Sequence, residues 1–333
     1  MYLWGADGSP YSCKVRALMR YRRIPFLWKP VCDAGQFDGS LFERFGGIPK
    51  VIPVLEFGDG TYMNDSTPII AELESKFTSR SVIPKDDALS FFAALIEDFA
   101  DEWFTKVMFE GRFHTESNAV FGASWQTFQN VDMCATDGME EVAADFARRQ
   151  VKRRSLVGCT NWEMMERTLR LVCEILTDNL KSGHMFLFGS LPSNADFALF
   201  GQLRQLSADP LPAKIVHEFP HVWGWVWRLD DLSGYESAEG EYCMTSGALA
   251  MLALIGQTYA PFLLANSRAL ENGELSVSVT IFGSNHSQPS FKYQNKCLME
   301  LRRQYESMQD KTEARSVLQR TNLLDTFATR SRF

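Results

Sequence analysis

Two hydrophobic periods divide this chain, and they change over near residue 86. From Met1 to about Phe77 apolar residues come in short runs broken by turn formers. These are MYLW, the basic amphipathic KVRALMRYRRI, the proline-flanked PFLWKPV, and KVIPVLEFGDGTYMND, which sets two apolar runs around Gly58, Asp59 and Gly60. Short apolar runs bounded by Gly and Pro predict strands, and Gly-Asp-Gly between two of them predicts a hairpin. KVRALMRYRRI has helical spacing. DSTPIIAELESKF opens with Ser66 as N-cap and Pro68 in the first turn, and places Ile69, Ile70 and Leu73 on one helical face. The order strand, helix, strand, hairpin, helix predicts a small mixed sheet with helices packed on it.

Beyond the linker VIPKDD, from Val82 to Asp87, the pattern becomes helical. LSFFAALIEDFADEWFTKVMF puts Phe92, Leu95, Ile96, Phe99, Trp103 and Val107 at helical spacing, and similar patterns recur near 139–153, 161–181 and 193–206. Residues 1–81 are therefore expected to form an α/β domain and residues 88–233 an all-α domain. Ser193 followed by Asp196 is a carboxylate version of the capping box, a structural device at a helix start. Residues 234–333 are expected as an extension: Met244 to Leu270 helical, Leu275, Val277, Val279 and Ile281 alternating as a strand, YQNKCLMELRRQYESM helical. A lone strand leaves its backbone unsatisfied, so this one needs a partner.

Charge and cysteine use narrow the function. With 34 basic against 41 acidic side chains the net charge is −7, which argues against a general nucleic-acid binder. Arg148, Arg149, Lys152, Arg153 and Arg154 read as a solvated helix face. Seven cysteines, with no CxxC pair among them, fit reduced thiols in a cytoplasmic protein. MYLWGADGSP has no basic segment leading into an apolar core, so secretion is not expected. The apolar stretch from Ala248 to Ala265 is interrupted by Gln257, Thr258 and Pro261, and predicts a buried, kinked helix rather than a membrane span. His217 to His221 spells HExxH, but Pro220 sits inside it and more readily starts a helix than continues one, so no metal is expected. Trp223, Trp225 and Trp227 cannot all face one way on a helix, which suggests core packing plus an interface.

The chemistry concentrates in GSPYSCKVR, residues 8–16. A helix amino end presents unpaired N–H groups and partial positive charge, so it stabilises an anion such as a thiolate. Ser9, Ser12 and Cys13 crowd that joint. Cys13 is a candidate nucleophile activated by the helix end. A serine hydroxyl is too weak an acid to form its own anion, but it donates a hydrogen bond to a thiolate arriving from outside.

Ser9-Pro10-Tyr11-Ser12 is similar to the glutaredoxin Cys-Pro-Tyr-Cys turn with each sulfur exchanged for a hydroxyl. From Met1 to about residue 233 the chain resembles the glutathione transferase superfamily, through this turn, the Val-Ile-Pro-Val-Leu segment at 51–55, the Asp65-Ser66 pair and the Ser193 to Asp196 cap. The resemblance implies a thioredoxin-like domain followed by the all-α transferase domain. It implies glutathione as co-substrate, with Ser9 at its sulfur and Ser12 and Cys13 as the other candidates. Lys50, Ile52, a cis Pro53, Asp65 and Ser66 would hold the tripeptide. Tyr11, Trp103, Phe104 and Met108 are candidates to line a pocket for an apolar electrophile. A homodimer with no nucleic-acid or membrane partner is implied as well. A non-catalytic glutathione-fold interaction module, and a glutathione-dependent thiol reductase (using Cys13), isomerase or lyase, are the other readings.

Overall fold

The computed structural model describes residues 1–31, 45, 51–129, 138–236 and 240–328. Its residues group into two compact units, each drawn from three separate stretches of chain. The first comprises Met1–Val82, Met108–Arg154 and Phe197–Glu236; the second comprises Ile83–Val107, Ser155–Asp196 and Ser237–Phe333.

The first unit opens with the α/β part. Strand β1 (Tyr2–Gly5) leads to α1 (Pro10–Tyr21) and β2 (Leu27–Pro30); β3 (Val54–Glu56) and β4 (Tyr62–Asn64) form the hairpin before α2 (Ser66–Lys76). The sheet order is β2-β1-β3-β4, with β1 parallel to β2 and antiparallel to β3. One parallel pair joined through a helix and one hairpin is the small mixed sheet that the short apolar runs predict, in the thioredoxin-like arrangement that the resemblance implies. Leu3, Val15, Leu18, Leu55, Ile69 and Leu73 are fully buried, and Val54 packs with Phe45, Trp4, Ile52 and Tyr62. At about 25 cal/mol for each Å² of apolar surface removed from water, such side chains contribute on the order of 1.5–3 kcal/mol apiece.

The same unit holds the end of α4 (Thr105–Phe113), with α5 (Glu116–Gln129), α6 (Met139–Arg153), most of α8 (Asn194–Leu206), α9 (Pro210–Val216) and α10 (Pro220–Leu229). Phe113, Ala119, Ala123, Ala143 and Phe146 form a core among α4, α5 and α6. Arg148 pairs with Asp145 on the exposed face of α6, whereas Arg154 turns inward to bind buried Glu110 twice, at 2.8 and 2.6 Å.

The second unit is built on α3 (Asp87–Phe99), a π turn (Ala100–Phe104) and α7 (Trp162–Lys181). Its remaining elements are α11 (Ser246–Gln257), α12 (Tyr259–Glu271), β5 (Ser276–Ile281), β6 (Ser284–Pro289), α13 (Lys292–Ser307), α14 (Thr312–Arg320) and α15 (Leu324–Phe327). Residues 234–333, expected as an appendage, share this unit's core: α11 packs on α7 and α3, and α13 packs on α3. The apolar stretch at 248–265 breaks at Thr258 (φ −125°, ψ −75°) into α11 and α12. By length and composition Ser246–Glu271 is apolar enough to cross a membrane, with mean hydropathy 1.6. The partner for the strand at 276–281 is the segment directly after it. Phe282 (φ 52°) and Gly283 (φ 81°) form a two-residue hairpin turn with positive φ at both positions. SNHSQP carries no apolar alternation, so the period gave no sign of β6.

At the cap before α8, Asp196 Oδ2 accepts Ser193 N–H at 2.9 Å and Ser193 Oγ–H at 2.7 Å, while Oδ1 accepts Leu187 N–H at 2.9 Å. The carboxylate reaches back as the capping box requires, and the serine hydroxyl donates to it instead of capping a helical N–H.

Candidate functional site

Sheet register brings three separated stretches of the first unit to one edge. Trp4 pairs with Val54, and Val54 pairs with Asn64. The loop leaving β1 into α1, the Ile52–Pro53 peptide entering β3, and the Asp65–Ser66 step leaving β4 therefore lie at the same end of the sheet. The Ile52–Pro53 bond is cis, and Ile52 is half-buried. Lys50, the remaining member of the expected set, lies outside the described residues.

Ser9 is the N-cap of α1 (φ −96°, ψ 118°), with Pro10 at the first helical position. Its Oγ accepts Ser12 N–H at 3.2 Å and donates to no group among the described residues; the side chain is half-buried. Ser12 is fully buried and its Oγ accepts Ala6 N–H at 3.3 Å. A Cβ at Gly5 would fall 2.6 Å from that oxygen, so glycine is what lets the strand pass over it. Tyr11 is half-buried in the same turn.

Cys13 departs from the expectation of an activated thiol. It is 1% exposed, its Sγ donates to Asp7 O at 3.4 Å and accepts from Gln205 Nε2 at 3.4 Å. Burial pushes the thiol up to about 11, against the pull of the Arg16 charge. Exclusion of water outweighs the helix end here, and a protonated sulfur is no nucleophile.

At α2 the cap differs from the sequence reading. Ser66 is the first helical residue, and the N-cap is Asp65, held at φ 73° with no hydrogen bond from its side chain to the helix. Ser66 is 3% exposed, and its hydroxyl faces a residue the sequence reading did not single out. Lys14, fully buried on α1, places Nζ 3.4 Å from both Ser66 Oγ and Thr67 Oγ1. A lysine in the inward-facing register of an amphipathic helix, between Cys13 and Val15, was the available signal. It adds a full positive charge to the partial charge of the α2 amino end.

A second unforeseen residue fixes the loop before Ser9. Arg112, 3% exposed on α4, donates from Nη1 to Gly8 O at 2.8 Å, from Nε to Asp209 Oδ2 at 2.7 Å and from Nη2 to Gln205 Oε1 at 2.6 Å. Gln205 Nε2 in turn donates to Asp7 O at 2.8 Å. Both carbonyls ahead of the α1 cap are thus pinned by side chains from the helical part of the unit.

The expected pocket residues separate. Met108 is buried in the first unit. Trp103 and Phe104 are core residues of the second unit, each 0% exposed, rather than the walls of an open pocket. The reason is that the last third of the chain supplies ring partners: Trp103 packs on Phe262 at 5.4 Å and His286 at 5.1 Å, and Phe104 stacks on Phe99 at 6.1 Å. The HExxH stretch falls on two elements, with His217 closing α9 and α10 starting at Pro220.

Around the π turn the second unit holds a cluster of charge in which Asp98 and Glu102 are partly buried and Lys106 is buried. Tyr259 donates to Asp98 Oδ2 at 2.7 Å, and Lys106 Nζ donates to Val157 O at 2.7 Å and Gln288 Oε1 at 2.8 Å. Desolvation raises the Asp98 carboxyl to about 7 and the Glu102 carboxyl to about 8, and lowers Lys106. His286, kept from water and beside Lys106, is lowered to about 4.

The chain is similar to a glutathione S-transferase from Rhodospirillum rubrum F11 (15% identity, 74% of this chain and 97% of that chain, TM-score 0.46) and to FzlA from C. crescentus (16%, 74% and 96%, TM-score 0.46). It is similar as well to a glutathione S-transferase from Methylobacterium radiotolerans in complex with glutathione sulfonate (18%, 73% and 96%, TM-score 0.43). No curated protein matches in sequence. The family model of the glutathione S-transferase N-terminal domain matches residues 3–81, and that of the C-terminal domain matches residues 160–227. Residues 3–81 and 160–227 thus match the two glutathione S-transferase domains in that order.

Proposed function

We propose that this protein binds glutathione at the sheet edge of its first unit and activates the thiol for attack on an electrophilic carbon of an apolar substrate. The observation that carries the reading is the half-buried Ser9 hydroxyl, which caps α1 with its oxygen and leaves its proton undirected among the described residues. A thiolate at that point would accept the O–H and lie on the helix amino end. Ile52, directly before cis Pro53, suits the peptide groups of a tripeptide; the start of α2, with Lys14 behind it, suits a carboxylate. A free thiol ionises near 8.5, and lowering it by two units corresponds to about 2.7 kcal/mol of preference for the thiolate. The sulfur then forms a C–S bond, the leaving group departs with its electron pair, and the thiol proton passes to solvent.

The test is calorimetric titration with glutathione, the ultraviolet thiolate band of the bound tripeptide, and turnover of a generic aryl halide, each repeated with Ser9→Ala. The expected outcome is binding in both proteins and loss of the thiolate band with a turnover drop of about 10²-fold in the variant. Absence of glutathione binding in the parent protein refutes the reading. The interaction-module reading is favoured by one observation, that Ser66 is 3% exposed with its hydroxyl facing Lys14; binding without turnover on a panel of electrophiles supports it.

A further inference from the structure

A cavity of about 650 Å³ opens in the second unit, between the first turn of α11 and the length of α14. Both helices lie beyond residue 227, where the match to the C-terminal family domain ends. Two contacts fix the crevice. A Cβ at Gly256 would fall 2.1 Å from Thr321 O, so glycine is what lets the carboxyl end of α11 press on the chain leaving α14. At the other end of α11, Thr245 accepts Ala248 N–H and donates to Leu187 O, and is 4% exposed.

The lining is sorted by character. Glu313, Ser316, Val317 and Arg320 stand at i, i+3, i+4 and i+7 of α14 and so share one helical face along the cavity. Met244 and Leu249, both half-buried, line it from the α11 side as an apolar wall. At the start of α14, Asp310 joins Glu313 and spends Oδ1 on accepting Thr312 N–H at 2.8 Å. The cation beside it is turned away: Lys311 Nζ donates to Glu306 O at 2.9 Å and to Met308 O at 3.1 Å, past the end of α13. Glu313 and Arg320 make no hydrogen bond and no ion pair among the described residues. One end of the crevice therefore carries uncompensated negative charge and the other a guanidinium, with backbones about 10 Å apart by helical rise.

Opposite charges held apart on one face, with an apolar wall between them, call for a ligand that is itself dipolar. A simple cation would be repelled at Arg320, and a simple anion at the two carboxylates. A free dipeptide suits both ends. Its termini stand about 7 Å apart, two residues at about 3.5 Å each, and the glutamate and arginine side chains reach inward across the difference. The Ser316 hydroxyl can serve the peptide group, and an apolar side chain would lie on Met244, Leu249 and Val317.

We infer that the crevice between α11 and α14 binds a short zwitterionic peptide, with the ammonium at Asp310 and Glu313 and the carboxylate at Arg320. The volume is that of an ordinary small-ligand site. It shares no residue with the α1 cap, Pro53 or the α2 start, so it is independent of the glutathione reading.

The experiment uses the full chain, isothermal titration, and three probes of matched shape: alanyl-leucine, its N-acetyl form without the ammonium, and its C-terminal amide without the carboxylate. The expected result is saturable binding of alanyl-leucine with a Kd of about 1 mM or tighter, and at least about tenfold weaker binding of either capped form. Glu313→Gln should weaken alanyl-leucine about tenfold and leave the N-acetyl form unchanged. Arg320→Gln should weaken it as much and leave the amide unchanged. Both side chains are exposed, and an unshifted thermal melt checks that the variants fold. Absence of saturable alanyl-leucine binding, equal affinity for the capped forms, or indifference to both substitutions each overturns the inference. Failure of glutathione to bind the parent protein refutes the other site and leaves this one standing.

Discussion

Lys14 Nζ lies 3.4 Å from Ser66 Oγ, so that a side chain with no exposed surface carries α1's positive charge to the first residue of α2. Two helix starts of the same sheet edge, one capped by Ser9 and one backed by Lys14, therefore share an electropositive border. The first prediction concerns this pair. Lys14→Met keeps most of the side-chain volume but removes the charge and leaves the Ser66 and Thr67 hydroxyls without their donor, so a cost of about 1–3 kcal/mol in stability is expected. Glutathione affinity should fall about tenfold, the worth of one charge-assisted contact. Calorimetric titration beside a denaturant melt separates the two effects; unchanged affinity removes Lys14 from the binding account.

Arg112 offers a harsher case. With Asp209 fully buried beside it, Arg112→Met leaves an unpaired carboxylate, and the expected cost is about 3–5 kcal/mol. Burial already raises the Asp209 carboxyl while Arg112 pulls it down, so the variant should take up a proton there. The double variant Arg112→Met with Asp209→Leu should recover most of that stability. It should not recover turnover, because Gly8 O would still lack its donor. Urea melts and steady-state rates of the single and double variants check both statements.

Much of this was legible before any coordinates. Short apolar runs gave the sheet and its hairpin, and Phe92 through Val107 gave the long helical face, because burial on one side writes its period into the sequence. Three things were not legible. β6 is polar, so its pairing with β5 left no pattern. The π turn inserts at Ala100–Phe104 without any Gly or Pro to announce it. Arg112 and Gln205 act on carbonyls a hundred or more residues away, and no local spacing records a contact of that kind. At the candidate site, Ser9 is marked by a motif and Lys14 only by geometry, while Cys13 lies at a helix end that the sequence shows and behind an exclusion of water that it does not.

Acidity should expose the cluster around Asp98. Its carboxyl titrates near 7 in the folded chain against an ordinary 3.8, so the folded state binds the extra proton between those values and stability falls as pH rises through that window. His286, lowered to about 4 from 6.5, works in the opposite direction, adding stability as pH rises to about 6.5. Above pH 6.5 the carboxyl effect is no longer offset by the histidine. Asp98→Asn should therefore raise the Tm more at pH 8 than at pH 5, by about 2–4 °C, read by calorimetry at both values. An equal gain at both pH values contradicts the assignment.

Gly201 tests the packing of α8 against α1. A Cβ there would lie 2.4 Å from Pro10 O and 3.1 Å from Pro10 C, both backbone atoms that cannot swing aside. Gly201→Ala is expected to cost about 2–3 kcal/mol by overpacking. It should also lower the rate by shifting the first turn of α1; a variant as stable as the parent would show that α1 tolerates displacement.

The interleaving of the two units bears on how the chain is made. Phe91, Phe99 and Trp103 emerge early in synthesis, yet Tyr305, Phe327, Tyr259 and Phe262, the rings that cover them, follow more than 150 residues later. Until the ribosome has delivered those late helices, a wide greasy face stays uncovered, and a premature stop codon between residues 237 and 258 would leave all of it so. Nonsense lesions in that interval should thus yield insoluble product rather than a trimmed chain.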